Sequence, residues 1–342
     1  MIVPSLEASL PRVHPRRFTI LTITAVAAIL TPATSTQATG SQVRISTAYV
    51  LPGDRVYPEG IAADPSTGDL FTGSFVDGTV FTMTPGNRAA KVFLPAGADG
   101  RHKALGLKVD RARRLWVIDA DTGVTVYDTR SRRLLARFDV TGQDARLVND
   151  LDITPDGSVY LTDSLRALVY RITPRQLAQA RAQGGHAPLT TAFDLTRVLE
   201  PHPPGTITLN GIAADPSGRY LLTVDMTGGD LYRIDLSTSE IHKVNLGTND
   251  MSQADGLALQ NGTLWVAHPI PDANAISRWR LDHDGHEARL ERRLTDQALQ
   301  LPTTLIRRHG ELHVVRSQFD KGGPVGPGTP QIPFTIASVH GI

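Results

Sequence analysis

The stretch YPEGIAADPSTGDLF, residues 57–71, sets a carboxylate, Glu59, between a proline and a glycine just ahead of a short apolar run. Pro58 holds the approach extended and Gly60 lets the backbone turn, so Glu59 is expected to project from the mouth of a strand rather than into a packed sheet. The same layout returns along the chain: LGLKVDRARRLWVIDAD from Leu105, NDLDITPDGSVYLTDS from Asn149, NGIAADPSGRYLLTVD from Asn210, DGLALQNGTLWVAHP from Asp255 and the eroded TTLIRRHGELHVVRS from Thr303. Each copy reads as an alternating apolar strand, a turn rich in Asp, Pro, Ser or Gly, and a second strand ending in a small or acidic residue.

The lead positions 59, 105, 149, 210, 255 and 303 are 46, 44, 61, 45 and 48 residues apart, a period that suits four short strands per unit. Third strands follow in GTVFTMTP, GVTVYDTR, ALVYRITP, GDLYRIDL and AISRWRLD, and fourth strands in KVFLP, LLARFDV and IHKVNLG. Repetition of this kind predicts an all-β fold, a six-bladed β-propeller over residues 39–342, in preference to another all-β array. The strands in QVRISTAYVLPG and PFTIASV belong to no other unit, so they are expected to pair in the last blade and close the ring. The one long interval holds TPRQLAQARAQGG, a short helix with Thr173 as cap and Pro174 in its first turn, placed between the third and fourth strands of blade three. Strand alternation puts that insertion on the end opposite Glu59.

The formal charge of +1 provides no basic field for nucleic acid or a membrane surface. The opening HPRRFTILTITAVAAILTPATSTQATG has an Arg16-Arg17 pair, an apolar run from Phe18 to Leu30 and small residues with a cut expected after Ala38, which reads as a secretory signal over residues 1–38. The run is shorter than the roughly 20 residues that span a bilayer, so no stable membrane anchor is expected. The mature protein is therefore expected to be secreted, extracellular or in the cell envelope, and monomeric. With no cysteine, it has neither disulfides nor thiolate metal ligands.

In a propeller the first strand of each blade lines the central channel, so Glu59, Leu105, Asn149, Asn210, Asp255 and Thr303 are expected to meet at one mouth of it. Two carboxylates crowded there repel unless one is protonated or a cation lies between them. With two amide carbonyls they form a hard-oxygen set of charge −2, suited to Ca²⁺, with another divalent ion as the alternative. A polar, water-filled channel without metal is the competing expectation.

The motifs PEGI at Glu59, ND at Asn149, NGIAADPSG at Asn210 and DGL at Asp255 resemble those of the SMP-30/gluconolactonase family over nearly the whole chain after the signal. The resemblance implies a six-bladed propeller with a divalent metal held by Glu59, Asn149, Asn210 and Asp255, and Ca²⁺-dependent hydrolysis of a lactone or related ester. Paraoxonases and diisopropyl-fluorophosphatase-type enzymes share the plan. Gluconolactonase-like members tend to carry an arginine two residues before the first metal asparagine. Here Leu147 stands in that place and Arg146 is one position off. Arg146, His102 just before KALGL, Asp163 and His268 are the candidate substrate contacts. Asp255 is the first candidate for the general base and Asp150 the reserve. Asp119, Asp163 and Asp225 recur at equivalent blade positions, which also suits turn capping. The alternative function is a non-catalytic propeller that binds a ligand or protein partner through the same mouth, with structural calcium.

Overall fold

The computed structural model describes residues 42–342; the secretory signal read over residues 1–38 lies outside them. Five consecutive antiparallel sheets, each built on four strands in meander order, are followed by a sixth in which Arg44–Val50 is added outside Thr335–His340. This is the six-bladed propeller, and the pairing of Arg44–Val50 with Thr335–His340 is the expected closure. Burial explains why the ring closes. The buried side chains fall into six clusters, each shared between two neighbouring blades, and one of them joins the last blade to the first through Leu51, Ile61, Val315 and Phe334. Blades are thus packed face to face all the way round. Second strands, covered on both faces, are the most buried, and Leu70–Ser74, Tyr220–Asp225 and Thr263–His268 are buried throughout.

The hairpin turns explain the recurring aspartates. Asp64 Oδ1 accepts from the Ser66 amide at 2.8 Å and Asp110 Oδ1 from the Ala112 amide at 2.9 Å, the Asx turns that the DPSTG-type segments encode. The long interval also folds as expected. Thr173 and Gln176 form a reciprocal capping box ahead of the helix Pro174–Ala182. Past the helix, His186–Pro188 pairs in parallel with Leu134–Asp139, adding a fifth strand that covers the outer edge of blade two. Among the described residues no helix is long and apolar enough to cross a membrane.

What positions the site is a β-bulge at the start of the inner strand. Register shifts at 58/61, 104/107, 148/151 and 209/212 set two residues against one in four blades, at the lead residue and its successor. The bulge carbonyls are satisfied by second-strand hydroxyls, Thr72 Oγ1 donating to Gly60 O at 2.7 Å and Thr223 Oγ1 to Gly211 O at 3.0 Å. The successor is Gly60, Gly106, Gly211 or Gly256 in four blades for reasons of space. A Cβ on Gly60 would stand 2.3 Å from Leu105 O, and one on Gly211 would stand 2.2 Å from Asp255 O. These glycines let neighbouring inner strands close on the channel.

Gly211→Ala should therefore destabilise the protein by about 1–3 kcal/mol or more, the cost of overpacking against backbone that cannot retreat. Urea unfolding with chelator present keeps metal binding out of the comparison, and an unchanged midpoint would contradict the close approach.

Candidate metal centre

Glu59, Asn149, Asn210 and Asp255 line a single cavity of about 520 Å³ at one mouth of the channel. All four are buried, at 3–6 % exposure. The lead residues of the other two blades, Leu105 and Thr303, line the same cavity, and Thr303 Oγ1 donates to Glu59 O at 2.8 Å, tying the last blade to the first beneath the carboxylate.

The amides are oriented by their nitrogens. Asn149 Nδ2 donates to Ser164 Oγ at 3.0 Å and Asn210 Nδ2 to Met226 Sδ at 3.2 Å. Their oxygens are left over. Asn149 Oδ1, Asn210 Oδ1 and Glu59 Oε2 are buried without a hydrogen-bond partner among the described residues. Buried acceptors without donors are costly and rare, so three of them on one cavity call for a ligand that supplies positive charge. Burial, and then the charges of Asp255 and Asp150, push the Glu59 carboxyl well above the usual range; burial and then Asp150 do the same to Asp255. Among the described residues no three His, Cys, Asp or Glu side chains gather in a metal-holding group. The set is completed by amide oxygens, a hard donor set that fits calcium and does not fit zinc.

Asp150, the residue after Asn149, occupies the bulge position that is glycine in its neighbours. It does not reach the cavity wall. Its Oδ1 accepts from the Leu151 amide at 2.8 Å, and its carboxyl, raised to about 6 by burial, is opposed by the Lys108 ammonium and by the Leu151 and Ile212 amides. Lys108 Nζ stands 3.4 Å from Asp152 Oδ1 and links blade two to blade three. Asp150 therefore belongs to a charged layer inside the channel, below the oxygens that face the cavity.

The four candidate substrate contacts are not brought to the cavity. Arg146 is turned onto its own loop, donating to Val140 O at 3.0 Å and Gly142 O at 2.6 Å. Asp163 is spent on the Leu147 and Leu165 amides at 3.1 and 3.2 Å and on the Tyr170 hydroxyl at 2.8 Å, the capping role that its recurrence also suited. His268 takes the place of that aspartate in blade five. Its Nδ1 and Nε2 face Ser252 O at 3.2 Å and Ser277 Oγ at 2.7 Å, and burial pushes its pKa down to about 4, so it is a neutral structural group. The backbone of His102 donates to Asp119, and its exposed ring lies away from the cavity.

The walls come from elsewhere. Phe75 and Met226, in turns between second and third strands, are where strand alternation puts them. Leu147, Ile207 and Leu301 come from connections between blades, and Phe319 and Val325 from the Gly/Pro-rich loop of the last blade. Gln318 clamps that loop through Gln331 N and O at 2.7 and 2.9 Å, and the Tyr57 hydroxyl donates to Lys321 O at 2.9 Å. The signal for this loop was its position after a second strand. A larger hollow of about 780 Å³ lies at the other end of the ring, but its Arg171, Arg219 and Arg233 each face a carboxylate, at 3.7, 2.9 and 3.2 Å, and it holds no unmatched charge.

Among solved structures the fold is similar to that of a gluconolactonase from Xanthomonas campestris, at 17 % identity and TM-score 0.60, covering 88 % of this chain and 90 % of that one. It is also similar to a calcium-binding regucalcin from Agrobacterium tumefaciens, at 17 % and 0.58, covering 87 % and 97 %. A third similar structure is the virginiamycin B lyase from Staphylococcus aureus, at 12 % and 0.53, covering 87 % and 99 %. No curated protein matches the chain in sequence. Residues 47–291 match the model of the SMP-30/Gluconolactonase/LRE-like region, and the chain belongs to that family.

Proposed function

We propose that this protein hydrolyses a lactone or related ester at the channel mouth, with Ca²⁺ or another hard divalent cation held by Glu59, Asn149, Asn210 and Asp255. The observation that carries the reading is the convergence of three unpartnered buried oxygens and a second carboxylate on one cavity. Membership of the family supports a lactonase-type reaction. The bound cation supplies polarisation of the carbonyl and stabilisation of charge developing on its oxygen. Export through residues 1–38, which the reading includes as a proposal, would suit it, because extracellular calcium sites work at modest affinity.

The chain's own groups supply the rest. Asp255 is the base: neither carboxylate on the cavity wall makes a side-chain hydrogen bond among the described residues, and with Glu59 fixed as a ligand between Pro58 and Gly60 it is Asp255 that takes a proton from the attacking water. The water oxygen bonds to the carbonyl carbon, the ring C–O bond breaks, and the proton held by Asp255 passes to the leaving alkoxide, giving a hydroxy acid. Glu59, fixed between Pro58 and Gly60, is a charge-balancing ligand. Asp150 acts from inside the channel as a positioning charge and does not touch substrate.

Asp255→Asn preserves shape and one oxygen while removing the base, so turnover should fall by about 10²-fold or more at saturating calcium. Near wild-type turnover in that variant, with Asp150→Asn inactive, would transfer the role to Asp150. A lactone and ester panel with and without calcium tests the activity itself; no turnover of any member would leave a site that binds only.

The raised carboxyl pKa values give a second prediction. A carboxyl with a folded pKa above its unfolded value stabilises the fold at low pH and loses that contribution as pH rises through the folded pKa. The chelated protein should therefore melt at progressively lower temperature as pH rises above the ordinary carboxylate range, while calcium, by replacing the protons, removes most of that loss. Coincident melting curves with EDTA and with calcium at pH 8 would contradict the site.

A further inference from the structure

The wall of the cavity is apolar and uncharged apart from the two carboxylates already given to the cation. Phe75, Leu147, Ile207, Met226, Phe319 and Val325, with two further leucines and three prolines, make up eleven of its eighteen lining residues. No arginine, lysine or histidine lines it. Its few polar side chains already make hydrogen bonds within the chain: Thr303 Oγ1 donates to Glu59 O at 2.8 Å, Thr227 Oγ1 to Ile207 O at 2.6 Å, and each asparagine amide nitrogen makes one. Gln253 is the one uncharged polar side chain of the lining that makes no hydrogen bond among the described residues, so few groups are free to meet a set of substrate hydroxyls. The apolar surface continues outward, with Ile207 41 % and Val325 64 % exposed, so two exposed large hydrophobics rim the mouth.

We infer that the substrate is an uncharged lactone or ester bearing an apolar alkyl or aryl substituent, and that a polyhydroxylated sugar lactone is a poor one. The inference rests on the hydrolase reading for its reaction and on the wall for its specificity. A sugar lactone would bury several hydroxyls against carbon, and each hydroxyl left without a partner weakens binding by about tenfold. An anionic substituent would face Glu59 and Asp255 with no cation from the chain to offset them. An alkyl chain gains instead, by about 0.8 kcal/mol per methylene, or about fourfold each, until the cavity is full.

The test is a homologous series with the purified calcium-loaded protein: δ-valerolactone, the δ-lactones bearing propyl, pentyl and heptyl chains, and glucono-δ-lactone. The expected result is kcat/KM rising about fourfold per methylene through the shorter chains, with glucono-δ-lactone at or below the unsubstituted ring. Ile207→Asp and Val325→Asp, at partly exposed positions where folding is undisturbed, should flatten the slope. A flat or falling alkyl series with glucono-δ-lactone the best substrate would overturn the inference. If no lactone is turned over, the hydrolase reading fails, and calorimetric binding of the same series decides the specificity. Affinity that tightens with chain length upholds it, whereas no binding, or binding of glucono-δ-lactone alone, overturns it.

Discussion

Two carboxylates, Glu59 and Asp255, are held in one buried channel mouth with a third, Asp150, close enough to raise them both. A protein interior tolerates such a group only if protons or a cation offset the charge. The surrounding oxygens choose between these. A protonated carboxyl would donate to a neighbouring acceptor, yet no hydrogen bond joins Glu59 or Asp255 to the amide oxygens of Asn149 and Asn210, which stay without a donor. A single hard cation would satisfy all of them at once, and under the proposed function it would belong to the folded state as well as to the chemistry.

The ring makes that convergence possible. Inner strands must approach closely enough for oxygens from blades one, three, four and five to share a ligand, and the bulge glycines permit it by leaving no Cβ against the next strand's backbone. Asp150 breaks that rule in blade three. Its carboxylate lies where a Cβ on Gly106 would stand 2.6 Å from Oδ1, and Lys108 and the Leu151 and Ile212 amides oppose its charge. The channel therefore has two layers, cavity-facing oxygens above and a Lys108–Asp150–Asp152 layer below.

What could be read from sequence is what repeats. The lead residues recur in every unit and are followed by a glycine in four of the six, so a periodic reading finds Glu59, Asn149, Asn210 and Asp255 together, and the structure gathers them. The walls do not repeat. Ile207, Leu147 and Val325 come from connections whose lengths differ from blade to blade, and no period predicts their path. Asp163 and His268 show a different limit: a residue at the right end of the right strand is indistinguishable in sequence from one that caps its own turn, and hydrogen bonds to Leu147, Ser252 and Ser277 decide the matter. Arg146 likewise carries the right charge in the right loop, but its guanidinium is used by the carbonyls of that loop.

The central claim is that the four oxygens share one cation, and a crystal structure of the protein grown with millimolar calcium tests it most directly. The account predicts one anomalous peak at the channel mouth, with oxygens of Glu59, Asn149, Asn210 and Asp255 within about 2.3–2.6 Å of it. A water molecule at that position, or these side chains turned away from one another at saturating calcium, would contradict it.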